Sequence, residues 1–271
     1  GDADAARARV AFRVAYDGTD FRGWQRQPRG RTVEGALVEA FAKRFDGADV
    51  KLLGASRTDA GVHARGQACH ADLPRAVDDR ALLEHQLNRI LPDDVRMFDL
   101  RVAPPPPPGG KPWHAIACAR GKRYIYRMTA RRGAPDPLDR FYRAHAHYSD
   151  IDGAALADAL AAYVGTRDFR AFANNAPGQE ITAEKDTVRT IRRADVVDEG
   201  GGDFTLTLEL DGALYKMVRN LVGAAVAVAA GDLARDRLDV LLSGDASRCD
   251  NPALAAPARG LCLDEVFYDD F

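Results

Sequence analysis

The sequence is poor in the features that mark a membrane protein, a disulfide scaffold or a nucleotide-binding enzyme. No apolar run approaches the roughly 20 residues a spanning helix needs, and even Leu221 to Ala230 is short and built of alanine and valine. A membrane role is not expected. The four cysteines, Cys69, Cys118, Cys249 and Cys262, show no C-x-x-C spacing. That argues against a zinc ribbon and against a secreted disulfide framework, and fits a reducing compartment. No G-x-G-x-x-G or Walker-type loop is present, so a nucleotide cofactor has no seat. Charge of either sign is barely in excess, with a formal net charge of −2, so bulk charge alone does not announce a nucleic-acid partner. The chain begins Gly-Asp-Ala-Asp without Met, as after a cloning scar or removal of a targeting segment. The expected compartment is the cytoplasm, with a chloroplast or mitochondrion as the alternative.

What is present is ordinary in bulk and uneven in detail. A length of 271 residues with 46% hydrophobic and 29% charged content allows one large or two modest globular domains, each with its own core. Arginines crowd at Arg22, Arg26, Arg29 and Arg31, and basic residues again at Arg120, Lys122, Arg123, Arg127, Arg131 and Arg132, while acids gather near 76–79, 93–99 and 195–203. Two basic stretches on one face would track a phosphate backbone. Solvated loops and edge strands explain them equally well.

Val10, Phe12, Val14 and Tyr16 alternate with Ala or Arg at the period of a half-buried strand. Thr32 can cap a helix carrying Val33, Leu37, Ala40 and Phe41 on one face, and Val50 to Ala55 reads as a buried strand. Gln67 to Leu73 is a further strand, Leu83, Leu87, Ile90 and Leu91 mark a helix, and Val95 to Val102 closes a βαββαβ order. Pro104 to Pro108 with Gly109-Gly110 can continue neither a helix nor a central strand. Beyond it, Arg123 to Thr129 alternates as a strand, and Leu156, Leu160, Tyr163 and Val164 mark a helix. Ile191 to Val197 and Phe204 to Leu210 make a hairpin across Glu199 to Gly202. Met217, Leu221, Ala224 and Val228 mark a second helix, and Leu261 to Tyr268 is the last strand.

The repeated order predicts an α+β protein of two ferredoxin-like, RRM-like halves, residues 8–103 and 113–271, joined by a Pro/Gly-rich linker or insertion at 104–112. Their antiparallel sheets would lie side by side with helices on one face and an active-site cleft between the halves.

Arg57-Thr58-Asp59-Ala60-Gly61-Val62-His63 follows a strand and packs a carboxylate, an imidazole, a guanidinium and a glycine into one short loop, the kind of place where a rigid sheet positions reactive groups. An ordinary turn, with Asp59 accepting backbone N–H groups, Arg57 in a surface ion pair and Gly61 at positive φ, accounts for such a loop by itself. The loop does not stand alone. It resembles the catalytic loop of the tRNA pseudouridine synthase A (TruA) family, and Tyr16-Asp17-Gly18-Thr19-Asp20-Phe21-Arg22-Gly23-Trp24-Gln25-Arg26-Gln27 resembles that family's N-terminal signature. Gly66-Gln67 with His70, Trp113-His114-Ala115, Lys122-Arg123-Tyr124-Ile125-Tyr126, Met217-Val218-Arg219-Asn220-Leu221-Val222-Gly223 and Gly260-Leu261-Cys262-Leu263 follow in family order, so the resemblance covers nearly the whole chain.

The resemblance implies isomerisation of uridine to pseudouridine in RNA, in the anticodon stem-loop of tRNA, by a homodimer that needs no metal and no cofactor. The C1′–N1 bond breaks, the uracil turns and a C1′–C5 bond forms, without net redox change. Asp59 would be the catalytic carboxylate, adding to the base, acting at the ribose or serving elimination through C2′. Arg219 would pair with it and hold it ionised, although an exposed charge at a helix start is the simpler reading of that arginine. Tyr124 would stack on the uracil and assist removal of the C5 proton, while Tyr126 reads as a core aromatic. Arg57 would support base flipping. His63, Lys122, Arg123 and the basic run from Arg120 to Arg132 would contact phosphate or ribose, as would Arg22. Trp24, Gln25 and Gln67 would shape the pocket, and Leu263 would line it, although a core tryptophan and a strand-core leucine read almost as well.

Some positions depart from the family pattern. Ile116 and Cys118 stand where arginine and serine or aspartate are usual, which implies one RNA contact fewer. Ser56 replaces a glycine, and the proline stretch and the Asn174–Asp186 loop are longer than the pattern. These departures motivate two rivals, an inactive RNA-binding or scaffold protein on the same fold and an enzyme acting on organellar or ribosomal RNA. His145 and His147 could both ligate a metal from one side of a strand, but no carboxylate or cysteine stands at supporting spacing.

Overall fold

The computed structural model describes residues 8–106, 109–133, 136–146, 150–176, 181–182, 185–269 and 271. The chain is α+β and divides into two compact units, residues 1–120 with 263–271, and residues 121–262. Pro104–Pro106 and the described residues from Gly109 to Lys111 thus lie inside unit 1 rather than at its border.

Unit 1 runs β1 (Ala8–Tyr16), α1 (Val33–Arg44), β2 (Lys51–Gly54), β3 (His63–Leu73), α2 (Arg80–Ile90) and β4 (Val95–Val102), and later takes back β10 (Leu261–Phe267), apart from its first two residues. β1 is central: it pairs antiparallel with β3 from Ala8↔Leu73 to Tyr16↔Ala64 and with β4 from Val10↔Val102 to Tyr16↔Val95. Ala11, Phe12 and Val14 are accordingly sealed from solvent. β2 pairs with Gly54↔Cys69 to Lys51↔Asp72. One edge of β3 is occupied by β1 along nearly all its length and the far half of the other by β2, so β10 joins the near half of that other edge. There the Asp264 carbonyl lies so close to Gly66 that a Cβ on Gly66 would sit 2.5 Å from it.

The start of α1 falls at the predicted cap, Thr32, and α2 is capped in the same way. Thr32 Oγ1 accepts from Gly35 N at 3.2 Å, and Asp79 Oδ1 accepts from Leu82 N at 2.8 Å. Leu37 and Phe41 of α1 and Leu83 and Leu87 of α2 are fully buried, and Arg44 Nε donates to Gln86 Oε1 between the two helices at 2.5 Å.

Unit 2 contains β5 (Gly121–Thr129), β6 (Ala144–His145), α3 (Gly153–Ala161), β7 (Gly165–Asp168), β8 (Val188–Gly200), β9 (Asp203–Leu210), α4 (Met217–Ala229) and α5 (Arg235–Leu241). Its strands stand in the order β5-β9-β8-β7, with β6 parallel to the end of β5. The expected hairpin is β8–β9. Tyr163 and Val164, read from periodicity as helical, form the turn between α3 and Gly165 instead. α4 is buried at eleven of its thirteen residues, which explains why its sequence is apolar on every side. No helix among the described residues is long and apolar enough to cross a membrane.

Candidate active site

In unit 1 the Asp59 loop is clamped at both ends. Beyond β2 the chain stays bound to β3: Ala55 N donates to Ala68 O at 2.8 Å, Ser56 N donates to Gln67 Oε1 at 3.1 Å and Gln67 Nε2 donates to Ser56 O at 2.5 Å. A fully buried glutamine therefore stands in for the missing ladder partner where the loop leaves the sheet. At the far end His63 is the first residue of β3, buried, with Nδ1 accepting from Gly18 N at 3.0 Å and lying 3.1 Å from Asp17 Oδ1.

Between these ends the loop is held by the β1–α1 connection. Tyr16 and Thr58 share a hydroxyl hydrogen bond of 2.7 Å, Trp24 N donates to Thr58 O at 3.0 Å and Gly61 N donates to Phe21 O at 3.3 Å. The loop closes on itself through Val62 N to Asp59 O at 3.2 Å. Two glycines permit this approach. A Cβ on Gly18 would lie 2.0 Å from Val62 O, and one on Gly23, whose φ is +90°, would lie 2.7 Å from Thr58 O. Asp59 is half-buried and Arg57 exposed at the crest of this frame. It is a rigid support under a partly solvated carboxylate, the arrangement a positioned nucleophile or base needs.

The other expected residues of unit 1 take varied places. Trp24 is 1% exposed and its ring covers Gly54, so it is a wall behind the loop. Gln25 is exposed and donates to Glu34 Oε2 at 2.5 Å, which ties it to the first turn of α1. Arg22 is exposed and folds over Gly30. Leu263 is fully buried. Beside α1 a groove of about 480 Å³ is lined by Arg26, Arg31 and Lys43, with Glu39 as the opposing charge. Arg31 is fixed there by Asp94 at 2.7 Å and by the Phe21 ring 4.1 Å away.

In unit 2 the alternation of β5 sorts the expected residues. Tyr124, Tyr126 and Met128 share the buried face, and Lys122 precedes them on it. Arg123 points the other way and donates to Glu209 Oε1 at 2.8 Å, directly across the β5–β9 ladder. Burial, helped by the positive charge of Arg189, brings the Lys122 ammonium down to about 8. Tyr126 is 1% exposed, its hydroxyl donates to Pro257 O at 3.0 Å, and burial pushes its phenol far up against the opposing charges of Arg219 and Arg259. Arg219, in the first turn of α4, donates from Nε to Ala256 O at 2.7 Å, while its own carbonyl accepts from Ala256 N at 2.9 Å. Arg219 is half-buried and held, not a loose surface charge.

Three supports were not anticipated: the Tyr16–Thr58 hydroxyl pair, the Gln67–Ser56 amide clasp and Asn220 beside Arg219. Buried amides give no sequence signal, because only the fold decides what they meet. Among the described residues no three His, Cys, Asp or Glu side chains group to hold a metal ion. His145 lies on β6, and His147 lies outside the described residues.

Comparison with known proteins places the chain as a whole. Residues 159–269 match a family model described as tRNA pseudouridine synthase. A tRNA pseudouridine synthase A of Latilactobacillus sakei is 38% identical over 96% of this chain and 98% of its own length. Those of Protochlamydia amoebophila, at 37% over 95% of each chain, and Cutibacterium acnes, at 39% over 94% of this chain and 87% of the relative, are similar to the same extent. Among solved structures, an archaeal box H/ACA sRNP Nop10–Cbf5 complex matches at 14% identity and a TM-score of 0.33 over 80% of this chain and 44% of that one, too distant to bear on the site. With identity at this level sustained across almost the whole length, the chain belongs to the tRNA pseudouridine synthase A family.

Proposed function

We infer that this protein isomerises uridine to pseudouridine in tRNA, in the anticodon stem-loop, with Asp59 as the catalytic carboxylate. The observation that carries the reading is the end-to-end kinship with tRNA pseudouridine synthases A. The clamped loop that presents Asp59 on a rigid sheet supports the role given to that residue. In the reaction C1′–N1 is cleaved, the uracil turns, C1′–C5 is formed, the C5 proton leaves and N1 gains one, so atoms and electrons balance without a co-substrate. A carboxylate serves whichever first step operates, as nucleophile or as base. Tyr124 serves as the aromatic platform for the base, and its hydroxyl assists transfer of the C5 proton. Arg219 supplies the positive charge that keeps a carboxylate ionised out of water. Arg57 supports base extrusion. Lys122 and the arginines beside α1 hold backbone phosphates, and tRNA affinity should therefore fall with rising salt. The working form is a homodimer, the state the family resemblance implies.

Incubation with tRNA transcripts tritiated at uridine C5 tests the proposal, because turnover releases tritium to water. Release by wild type and its loss in Asp59→Ala are expected. Binding without release would make the chain an inactive RNA-binding protein. Equal release by Asp59→Ala would remove the carboxylate from the mechanism. Mapping the modified uridines identifies the RNA region, and light scattering of the purified protein reads the oligomeric state.

A further inference from the structure

We propose that Asn220 is a positioning residue for Arg219, setting the rotation of the first turn of α4 through an amide pair with Asn174; this rests on the part given to Arg219 above. The start of α4 lacks the usual fastening. Its cap position is Lys216, in the left-handed region at φ 59°, and no side chain caps the helix. The free N–H groups of a helix start ordinarily need such a cap, so whatever holds Arg219 in place comes from elsewhere.

It comes from two segments that grip neighbouring residues. Asn220 is fully buried, and its Nδ2 donates to Phe172 O at 2.7 Å and to Asn174 Oδ1 at 2.8 Å. Asn174 N in turn donates to Tyr215 O at 3.0 Å, just ahead of Lys216. Residues 172–174 thus hold the turn on both sides of its uncapped start. That segment is itself anchored, because buried Asn251 donates from Nδ2 to Ala171 O at 3.1 Å. Arg219 is gripped from a different direction, by Ala256 through both backbone and Nε. Successive side chains leave a helix about 100° apart, so two grips on consecutive residues fix the rotation of the turn, which one alone would not.

The amide is costly for a mere filler. Asn220 Oδ1 is buried and has no hydrogen-bond partner among the described residues. A leucine would have no Oδ1 to leave unmatched, but it would strip Phe172 O and Asn174 Oδ1 of their donor. What Asn220 alone supplies is the two-proton donor that joins Phe172 and Asn174.

The test combines kinetics with a signal that needs no turnover. Asn220→Leu and Asn220→Asp should lower kcat for tritium release by about tenfold or more while KM for tRNA stays within about twofold, the signature of a displaced catalytic group. In an Arg219→Lys background the Asn220 substitutions should cost little further, because residues acting through one another are not additive; a full additional loss overturns the proposal. In the free protein, the Arg219 Nε–H resonance, assigned by its absence in Arg219→Lys, should shift and exchange faster with water in Asn220→Leu. Asn174→Ala, which removes one acceptor from a half-buried position, should move it less and in the same direction, and serves if Asn220→Leu fails to fold. A resonance unchanged by these substitutions overturns the proposal whether or not the wild type turns over. A resonance that moves in a protein releasing no tritium overturns only the assigned reaction.

Discussion

Asp59 stands in a loop between two strands and Arg219 in the first turn of α4, and the two are secured by different means. Between its ends the Asp59 loop is held mainly by backbone groups of residues 18–24, with two glycines allowing contact too close for any side chain. The start of α4 is held largely by side chains, the amide of Asn220 on residues 172 and 174 and the Arg219 guanidinium on residue 256. A backbone clamp tolerates changes in most side chains but none in its glycines. A side-chain clamp fails through single amides. The difference locates where the support of each residue is vulnerable.

The largest expected effect is at the chemistry itself. Asp59→Ala should reduce kcat by at least about 10³-fold, as removal of an essential nucleophile or base does, with tRNA binding in a filter assay nearly unchanged. Arg219→Ala should cost about 10²–10³-fold in kcat, the scale of a lost charge-stabilising group; single-turnover tritium release separates this from binding.

The clamps come next. Gly18→Ala places a Cβ 2.0 Å from Val62 O, and should cost about 1–3 kcal/mol in urea unfolding together with about 10² in kcat through displacement of the loop. If Gly18→Ala leaves kcat intact, the loop is not backbone-clamped and the contrast with α4 collapses.

Acid should weaken unit 1 in a defined window. Burial, followed by the charges of Arg9 and His114, lowers His70 from 6.5 to about 4, with Asp72 opposing. Its Nδ1 accepts from Ala115 N at 3.2 Å in the neutral form. Because the folded value lies below the unfolded one, the unfolded chain binds the proton first. Stability from this group is full above about pH 6.5 and is lost as pH falls towards 4. Melting temperature followed over that window should fall in wild type and fall less steeply in His70→Gln.

The smallest effect is expected at Tyr126. Tyr126→Phe removes the hydroxyl that donates to Pro257 O and should cost about 1 kcal/mol of stability with little change in kcat, whereas Tyr124→Phe should lower kcat. Equal losses at the two tyrosines would show that Tyr126 is more than a core residue.

Much of the fold was legible because burial imprints a period. The alternation of Val10 to Tyr16 gives β1, the Thr32 cap with Val33, Leu37 and Phe41 gives α1, and Leu83, Leu87 and Ile90 give α2. What escaped lacked a period or was too short to show one. β7 is four mostly exposed residues, β6 is two, and α5 shows only Leu238 and Leu241 as buried anchors. β3 begins at His63, ahead of the expected start at Gln67, because Ala64 still pairs with Tyr16 of β1 although the residues before Gln67 show no apolar alternation.

The sequence by itself determined the α+β class, the order of the main elements, the family and the candidate carboxylate, because periodicity, capping residues and motif order are written along the chain. Only the tertiary structure decided that the last strand returns to the first unit, that Gln67 and Gly18 hold the Asp59 loop, and that Asn220 meets Asn174 beside Arg219. These are contacts between residues remote in sequence, and a buried amide or glycine carries no mark of its partner until the backbone brings the two together.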